Sequence, residues 1–406
     1  MIQIKMYPAK NGDCFLISAG NEVKKHILID CGYVETYKKF LKKDLLEIAE
    51  RKEKINLMVI THIDADHISG AIKFIEENNR QGFIDINEVW FNAYRHLQIP
   101  KKNNTELEDS ETEILEREIA LGKSFLKKAN EVGIVKNEIS AEQGSTLGGL
   151  LLQGNYKWNS LFGGKAVMAK DTKTINIDDF KITILSPNED KLNKLKEEWI
   201  KKLKIKKWNF NINDNELFDD AYEFMQLMSE ELTVESKEIS KLIQENSLNR
   251  LEEYIHEVYP NDDSASNGSS IALLIELHEK KLLFLGDAHP DIIYNNLMQI
   301  SDCKFDVVKL AHHGSLKNTT SELAKILTST KYLFSTNGNG DKNQHPDVQT
   351  IVKLLAANSD SKKQLYFNYK TENSNFFKNT ELKEKYNYEI FEGNGEETLV
   401  IKLLED

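Results

Sequence analysis

The sequence predicts a layered α/β protein, and two observations predict it. Short apolar, β-branched runs recur along the chain, separated by amphipathic runs with helical spacing. Three of those apolar runs end in histidine and aspartate, as strand ends do when they converge on a charged site at one edge of a sheet. A length of 406 residues allows one large domain with insertions, or two domains.

Residues 2–7, 14–18 and 26–30 read as short strands separated by Asn11-Gly12-Asp13 and Gly20-Asn21 turns. A helical run over 37–51 leads into a strand over 57–60. An amphipathic helix begins after Gly70 and ends near Asn78-Asn79, and Val89-Trp90-Phe91-Asn92 is a further strand. Residues 105–132 are rich in Glu and Lys with helical spacing and read as a solvated surface helix. The glycine-rich stretch 144–164 reads as short strands and loops, and 180–185 as a strand stopped by Ser186-Pro187. Residues 188–266 form a highly charged helical block, read as an insertion or lid, that runs out through a flexible polar linker at 261–268. Strands return over 270–277, 281–285, 305–310 and 332–335, with helices over 290–299, 321–327 and 346–356. Residues 364–369 and 398–403 close the pattern. Hence 1–187 and 267–406 are expected as two parts of one domain, elaborated by helices at about 95–150 and interrupted by 188–266.

The formal net charge of −12 argues mildly against nonspecific nucleic-acid binding but permits a local basic groove. Cys14, Cys31 and Cys303 are sparse and form no CxxC clamp, so a reducing, cytoplasmic location is expected. The first residues alternate like a strand and carry no signal-peptide core, and no run approaches the length of a membrane span, so no membrane partner is expected.

The chemistry sits in three clusters. In Thr61-His62-Ile63-Asp64-Ala65-Asp66-His67, two imidazoles and two carboxylates follow a buried-type strand, and a metal site is the economical explanation. In Leu283-Phe284-Leu285-Gly286-Asp287, an apolar strand runs through glycine into aspartate, a pair that alone is ordinary turn chemistry. In Val307-Val308-Lys309-Leu310-Ala311-His312-His313, adjacent histidines face opposite ways if the strand continues, so one binds metal and the other points to substrate or core. Alone, that pair reads better as one core and one surface histidine. Together, three such strand ends favour a metal centre, because imidazole and carboxylate suit zinc, manganese or iron, and two ions can clamp and activate a water.

With these residues in view, the chain resembles the metallo-β-lactamase superfamily of hydrolases. The His-x-His-x-Asp-His signature reads His62-Ile63-Asp64-Ala65-Asp66-His67, with Asp64 in place of the second histidine. That form resembles the hydrolase domain of competence DNA-uptake channel (ComEC-type) proteins and their free-standing relatives. Asn11-Gly12-Asp13, Ile27-Leu28-Ile29-Asp30-Cys31-Gly32, Ile184-Leu185-Ser186-Pro187, Asn267-Gly268-Ser269-Ser270, Leu285-Gly286-Asp287, Lys309-Leu310-Ala311-His312-His313-Gly314-Ser315 and His345-Pro346 agree with it. Most of 95–150 and 188–266 lies outside the resemblance. It implies an αββα sandwich of two mixed sheets with helices outside, and one or two divalent transition metal ions. His62 and Asp64 would hold the first ion, Asp66 and His67 the second, Asp287 would bridge, and His312 or His313 would complete the second site. Asp66 would also orient the attacking water. The first site's usual third histidine has no counterpart, since His96 and His256 lack a strand-then-loop context; a carboxylate-rich site shifts preference from zinc toward manganese. Ser269 and Ser270, at a neighbouring strand start, are candidate substrate contacts.

His345, before Pro346 and after Asn337-Gly338-Asn339-Gly340, fits a phosphate-binding or leaving-group-protonating residue, and equally a capping or solvent histidine. A basic helix carrying Lys201, Lys202 and Lys204 with Trp199 and Trp208 fits a phosphate-backbone groove, a docking site for a partner protein, or a solvated face packed on acidic neighbours. The expected function is hydrolysis by metal-activated water, with a phosphodiester in DNA or RNA as substrate. A small phosphodiester, ester or amide is the alternative substrate, and a non-catalytic, metal-stabilised subunit of a larger complex the alternative class.

Overall fold

In a computed structural model of the chain, the described residues are 1–97, 109–110, 112–113, 115–117, 120, 146–170, 174–205, 251–339, 345–357 and 361–404, with backbone only at Tyr94 and 199–205. The protein is mixed α/β with two mixed sheets and helices, as expected. It divides into two compact units. The first comprises Met1–Asp13, Met168–Asn188 and Lys237–Asp406; the second comprises Cys14–Val167 and Glu189–Ser236.

In the second unit, β2 (Cys14–Ala19), β3 (Lys25–Cys31), β4 (Ile55–Val59) and β5 (Val89–Trp90) lie side by side in that order. β2 and β3 are antiparallel, with Leu16 opposite Leu28, and β3, β4 and β5 are parallel. Parallel neighbours need a crossover. The first crossover is helical in three consecutive pieces, Val34–Thr36, Tyr37–Leu41 with π-type winding, and Lys42–Glu50. The second contains the helix Ala65–Gln81. β4 is buried at every position, so a continuous apolar run rather than an alternating one specifies it.

The helix after β4 begins at Ala65, not after Gly70 as the sequence suggested. Asp64 holds the extended conformation of an N-cap residue, which puts Asp66 and His67 in the first helical turn. Gly70 lies inside that helix for a steric reason. A Cβ there would meet the Cys31 carbonyl oxygen at 2.2 Å, and the Gly70 N–H donates to the Gly32 carbonyl at 2.7 Å. The helix is thereby pressed against the end of β3. Leu147–Gln153 is a helix where strands and loops were expected, because Thr146 Oγ1 caps it by accepting from the Gly149 N–H at 3.1 Å.

In the first unit, β1 (Ile2–Met6) pairs antiparallel with β16 (Leu399–Leu404). An eight-stranded sheet contains β6 (Thr174–Ile177), β7 (Phe180–Ser186), β8 (Ala272–Leu277), β9 (Lys280–Phe284), β11 (Val307–Lys309), β13 (Lys331–Phe334), β14 (Lys363–Phe367) and β15 (Tyr388–Glu392). Its order is β15-β14-β13-β11-β9-β8-β7-β6. Strands β6 to β9 are antiparallel, and β9, β11, β13, β14 and β15 are parallel. Two short strands, β10 (Lys304–Phe305) and β12 (Thr328–Ser329), pair apart from this sheet. Leu274, Leu283, Val308, Tyr332 and Leu365 form one core cluster with Ile292, Ile293 and Leu297 of the helix Pro290–Leu297, and Ile351, Val352 and Leu355 of the helix Val348–Ala357.

The polar stretch at 261–268 is built, not a flexible linker. Ser264 Oγ accepts from the Asn267 N–H at 3.4 Å at the head of the short helix Ala265–Gly268, and Asp262 is hydrogen-bonded within the fold. Residues 206–250, most of the charged block, lie outside the described residues, as do Trp208 and the larger part of the solvated helix expected over 105–132.

Candidate metal centre

The second unit supplies one set of metal-type donors. β3 and β4 are parallel, so their C-terminal ends share an edge, and Asp30 near the end of β3 meets Thr61 after β4. Asp30 Oδ1 accepts from the Thr61 N–H and Oδ2 from the Thr61 hydroxyl, both at 2.8 Å. Asp30 Oδ2 also lies 2.8 Å from His67 Nδ1. A carboxylate only accepts, so His67 carries its proton on Nδ1 and presents Nε2 as the lone-pair nitrogen. The single hydroxyl hydrogen of Thr61 goes to Asp30, so at the 3.0 Å contact between Thr61 Oγ1 and His62 Nδ1 the threonine accepts. His62 is thus set to the same tautomer. This carboxylate-to-histidine arrangement is the usual outer support of a metal-binding imidazole. The two rings lie 4.2 Å apart between centroids. His62 Nε2 is 3.4 Å from Asp64 Oδ2, and His67 Nε2 is 3.8 Å from Asp66 Oδ1. Asp30 itself adopts φ 54°, a left-handed conformation that non-glycine residues hold where the surrounding structure imposes it.

The first unit supplies another set. β8 runs antiparallel to β9, with Leu273 opposite Phe284, so the start of β8 lies beside the end of β9. There Ser270 Oγ accepts the Asp287 N–H at 2.9 Å. Asp287 Oδ2 stands 3.7 Å from His313 Nε2, and His313 Nδ1 stands 3.6 Å from Asp13 Oδ1. One donor atom each from Asp13, Asp287 and His313 can be chosen so that all lie within 4.8 Å of one another, and all three residues are buried. Lys309 joins the group through an ion pair with Asp13.

His312 and His313 do not face opposite ways by strand alternation. β11 ends at Lys309, and both histidines take left-handed backbone angles, φ 46° and 58°, in a tight turn. His313 goes to Asp13 and Asp287, while His312 goes elsewhere. His312 Nδ1 is 3.1 Å from Asn318 Oδ1 and 3.4 Å from Asp262 Oδ2. Asn267 and Asn318 amides donate to Asp262 Oδ2 at 2.7 and 3.0 Å. Burial alone would raise the Asp262 carboxyl, but His312, Asn267 and the Ser264 N–H outweigh it and hold it well below the usual carboxylate range. Burial also opposes charge on His312, but the carboxylates of Asp287 and Asp262 outweigh it and raise its pKa. The His345 ring lies 5.2 Å from that of His312, and burial pushes its pKa down against the pull of Asp347. His289 is buried beside this cluster, 4.0 Å from Asp262.

The remaining candidates are placed as follows. Ser269 Oγ donates to the Ser266 carbonyl at 2.6 Å, so both serine hydroxyls serve the local turn and strand. Lys201, Lys202 and Lys204 lie in the helix Glu189–Ile205, with their side chains outside the described residues. His96 Nδ1 accepts from the Ala93 N–H at 3.1 Å, and its ring packs on Trp158. His256 is an exposed helix-end residue. Sequence reasoning assigned no role to Asp30, Thr61, Asp13, Lys309, Asp262 or Asn318. Two of these had a legible signal, since Asp30 ends an apolar strand and Lys309 interrupts one.

The donors fit a divalent transition metal, because each unit gathers imidazole and carboxylate and the second also fixes the imidazole tautomers. No helix among the described residues is long and apolar enough to cross a membrane. No curated protein matches the chain. Among solved structures, the metallo-beta-lactamase fold protein YhfI from Bacillus subtilis matches at 8% identity and a TM-score of 0.38, over 98% of this chain and 100% of that one. A protein of unknown function from Enterococcus faecalis V583 matches at 8% identity and a TM-score of 0.26, over 97% of this chain and 88% of that one. Residues 7–85, which carry Asp13, Asp30 and the whole His62-to-His67 segment, match the family model of the Metallo-beta-lactamase superfamily.

Proposed function

We propose that the protein is a metal-dependent hydrolase acting on phosphodiesters, with DNA or RNA as the substrate class. The observation that carries the metal reading is the Asp30–Thr61 network, which directs the Nδ1 protons of both His62 and His67 inward and turns Nε2 of each into the donor. Such support is expected around imidazoles that bind a metal. A bound divalent ion would supply Lewis-acid activation of water and of the scissile group. In the second unit His62, Asp64, Asp66 and His67 are the proposed holders of such an ion, and in the first unit Asp287 and His313 are. Asp66, in the first helical turn, is the proposed acceptor of the water's proton. His312, oriented by Asp262 and Asn318, is the ring proposed to hold a proton for an anionic oxygen or a leaving group. Burial disfavours a proton on His345 beside it. The preference for a phosphodiester rests on the ComEC-type resemblance and the basic helix, since a fold by itself does not choose a substrate.

Purified protein should contain manganese or zinc and cleave bis(p-nitrophenyl) phosphate and nucleic acid when manganese is added. His67→Ala and Asp287→Ala should each lower metal content and cleavage. Protein that takes up no transition metal and cleaves neither substrate would refute the enzyme reading, while metal uptake without any turnover would favour an interaction subunit. Charge reversal at Lys201, Lys202 and Lys204 should weaken nucleic-acid binding and flatten its salt dependence. Unchanged binding would remove that helix from the substrate path.

A further inference from the structure

Lys309 is the last residue of β11 and is buried to 1% of its surface. An ammonium taken out of water needs charged partners and hydrogen bonds to replace its hydration. Here those partners belong to the donor cluster of the first unit. Lys309 Nζ forms an ion pair with Asp13, donates to the Gly286 carbonyl at 3.1 Å, and lies 3.8 Å from Asp287 Oδ1. His313 stands against the same two carboxylates, 3.6 Å from Asp13 and 3.7 Å from Asp287. Two carboxylates and one ammonium leave the cluster one negative charge, where the ligand types alone would give it two.

We propose that Lys309 is a positioning residue that sets the charge of the metal site. It occupies Asp13 as a counter-ion, so that Asp287 and His313 are the donors offered to a divalent cation. The inference rests on the metal-binding reading above and goes beyond it in assigning Asp13 to lysine rather than to metal. A site held one charge short leaves a bound divalent ion with net positive charge, and that state favours an anionic ligand such as a phosphate ester over a neutral one. A buried lysine that merely fills and neutralises its surroundings would not show this: its removal would change stability and leave metal affinity alone, or lower it.

The test is a double-mutant cycle in metal affinity, measured by calorimetric titration of the metal-stripped full chain with manganese(II) chloride, with circular dichroism to check folding. Lys309→Met removes the cation and frees Asp13, so manganese should bind about tenfold more tightly. Asp13→Asn leaves Lys309 to compete for Asp287, so manganese should bind about tenfold more weakly. The double variant removes both charges together and should return to within about threefold of the unsubstituted protein. Folded Lys309→Met with equal or weaker affinity overturns the proposal. Where Lys309→Met does not fold, the double variant must bind more tightly than Asp13→Asn, and equal affinities overturn it. Absence of manganese binding by the unsubstituted protein sinks the metal reading and this inference together, whereas normal binding with a flat cycle sinks only the inference.

Discussion

At the scale of single residues, Thr61 has one hydroxyl hydrogen, and its donation to Asp30 decides the tautomers of two imidazoles. Thr61→Val keeps the shape of the side chain, removes the acceptor facing His62 Nδ1, and takes one hydrogen bond from a buried carboxylate. Metal affinity should fall about 10–100-fold, as it does when outer support of a ligand is lost. Stability should fall by about 1–3 kcal/mol. Manganese titration and urea unfolding measure the two effects, and unchanged affinity would mean that the threonine does not support the metal-binding rings. The threonine was quoted in the sequence motif yet carried no assignable role there, since a hydroxyl becomes an orienting group only when an acceptor from another strand reaches it.

At the scale of elements, β3 is tied at both ends by charged side chains. Near its C-terminal end Asp30 holds Thr61 and His67. Near its N-terminal end His26 Nδ1 lies 2.8 Å from Ser18 Oγ, and His26 Nε2 lies 3.0 Å from Glu53 Oε2. Burial lowers the His26 pKa against the pull of Glu53. Glu53 is also lowered: burial works to raise it, but the Lys24 N–H, His26 and Arg51 outweigh that. Both groups bind protons more readily in the unfolded chain, so both contribute stability that is lost on acidification. The His26 contribution is present above its ordinary value of 6.5 and declines as pH falls from there toward the lowered folded value. The Glu53 contribution is present above 4.5 and is lost below it. Thermal unfolding midpoints recorded from pH 8 down to roughly pH 4 should therefore fall, and Glu53→Gln should reduce the fall at the acid end. An identical slope in that variant would count against the assignment. Element types were largely legible, because apolar runs and helical spacing are local. The helix starting at Ala65 was misplaced because Gly70 serves a close approach to β3 inside the helix rather than marking its start, and the helix Leu147–Gln153 because the Thr146 cap overrides what its glycines suggest.

At the scale of the whole molecule, an acidic chain of net charge −12 concentrates imidazoles and carboxylates at strand ends in each of its two units. Donors gathered by the folded chain bind metal better than the unfolded chain does, so metal should stabilise the fold. Manganese at about a hundred times its dissociation constant should add about 2.7 kcal/mol, read as a shift in the urea midpoint. The gain should vanish in a variant combining His67→Ala and Asp287→Ala, and its persistence would place the ion elsewhere. The sequence by itself determined the α/β class, the three donor-bearing strand ends and the metal-type chemistry, because strand periodicity and residue type are local properties. Only the tertiary structure decided that Asp30 and Thr61 set the histidine tautomers, that His313 rather than His312 joins Asp287, and that Lys309 meets Asp13. Those contacts join residues far apart in the chain, and they exist only once strand pairing and packing within each unit have brought strand ends and turns together.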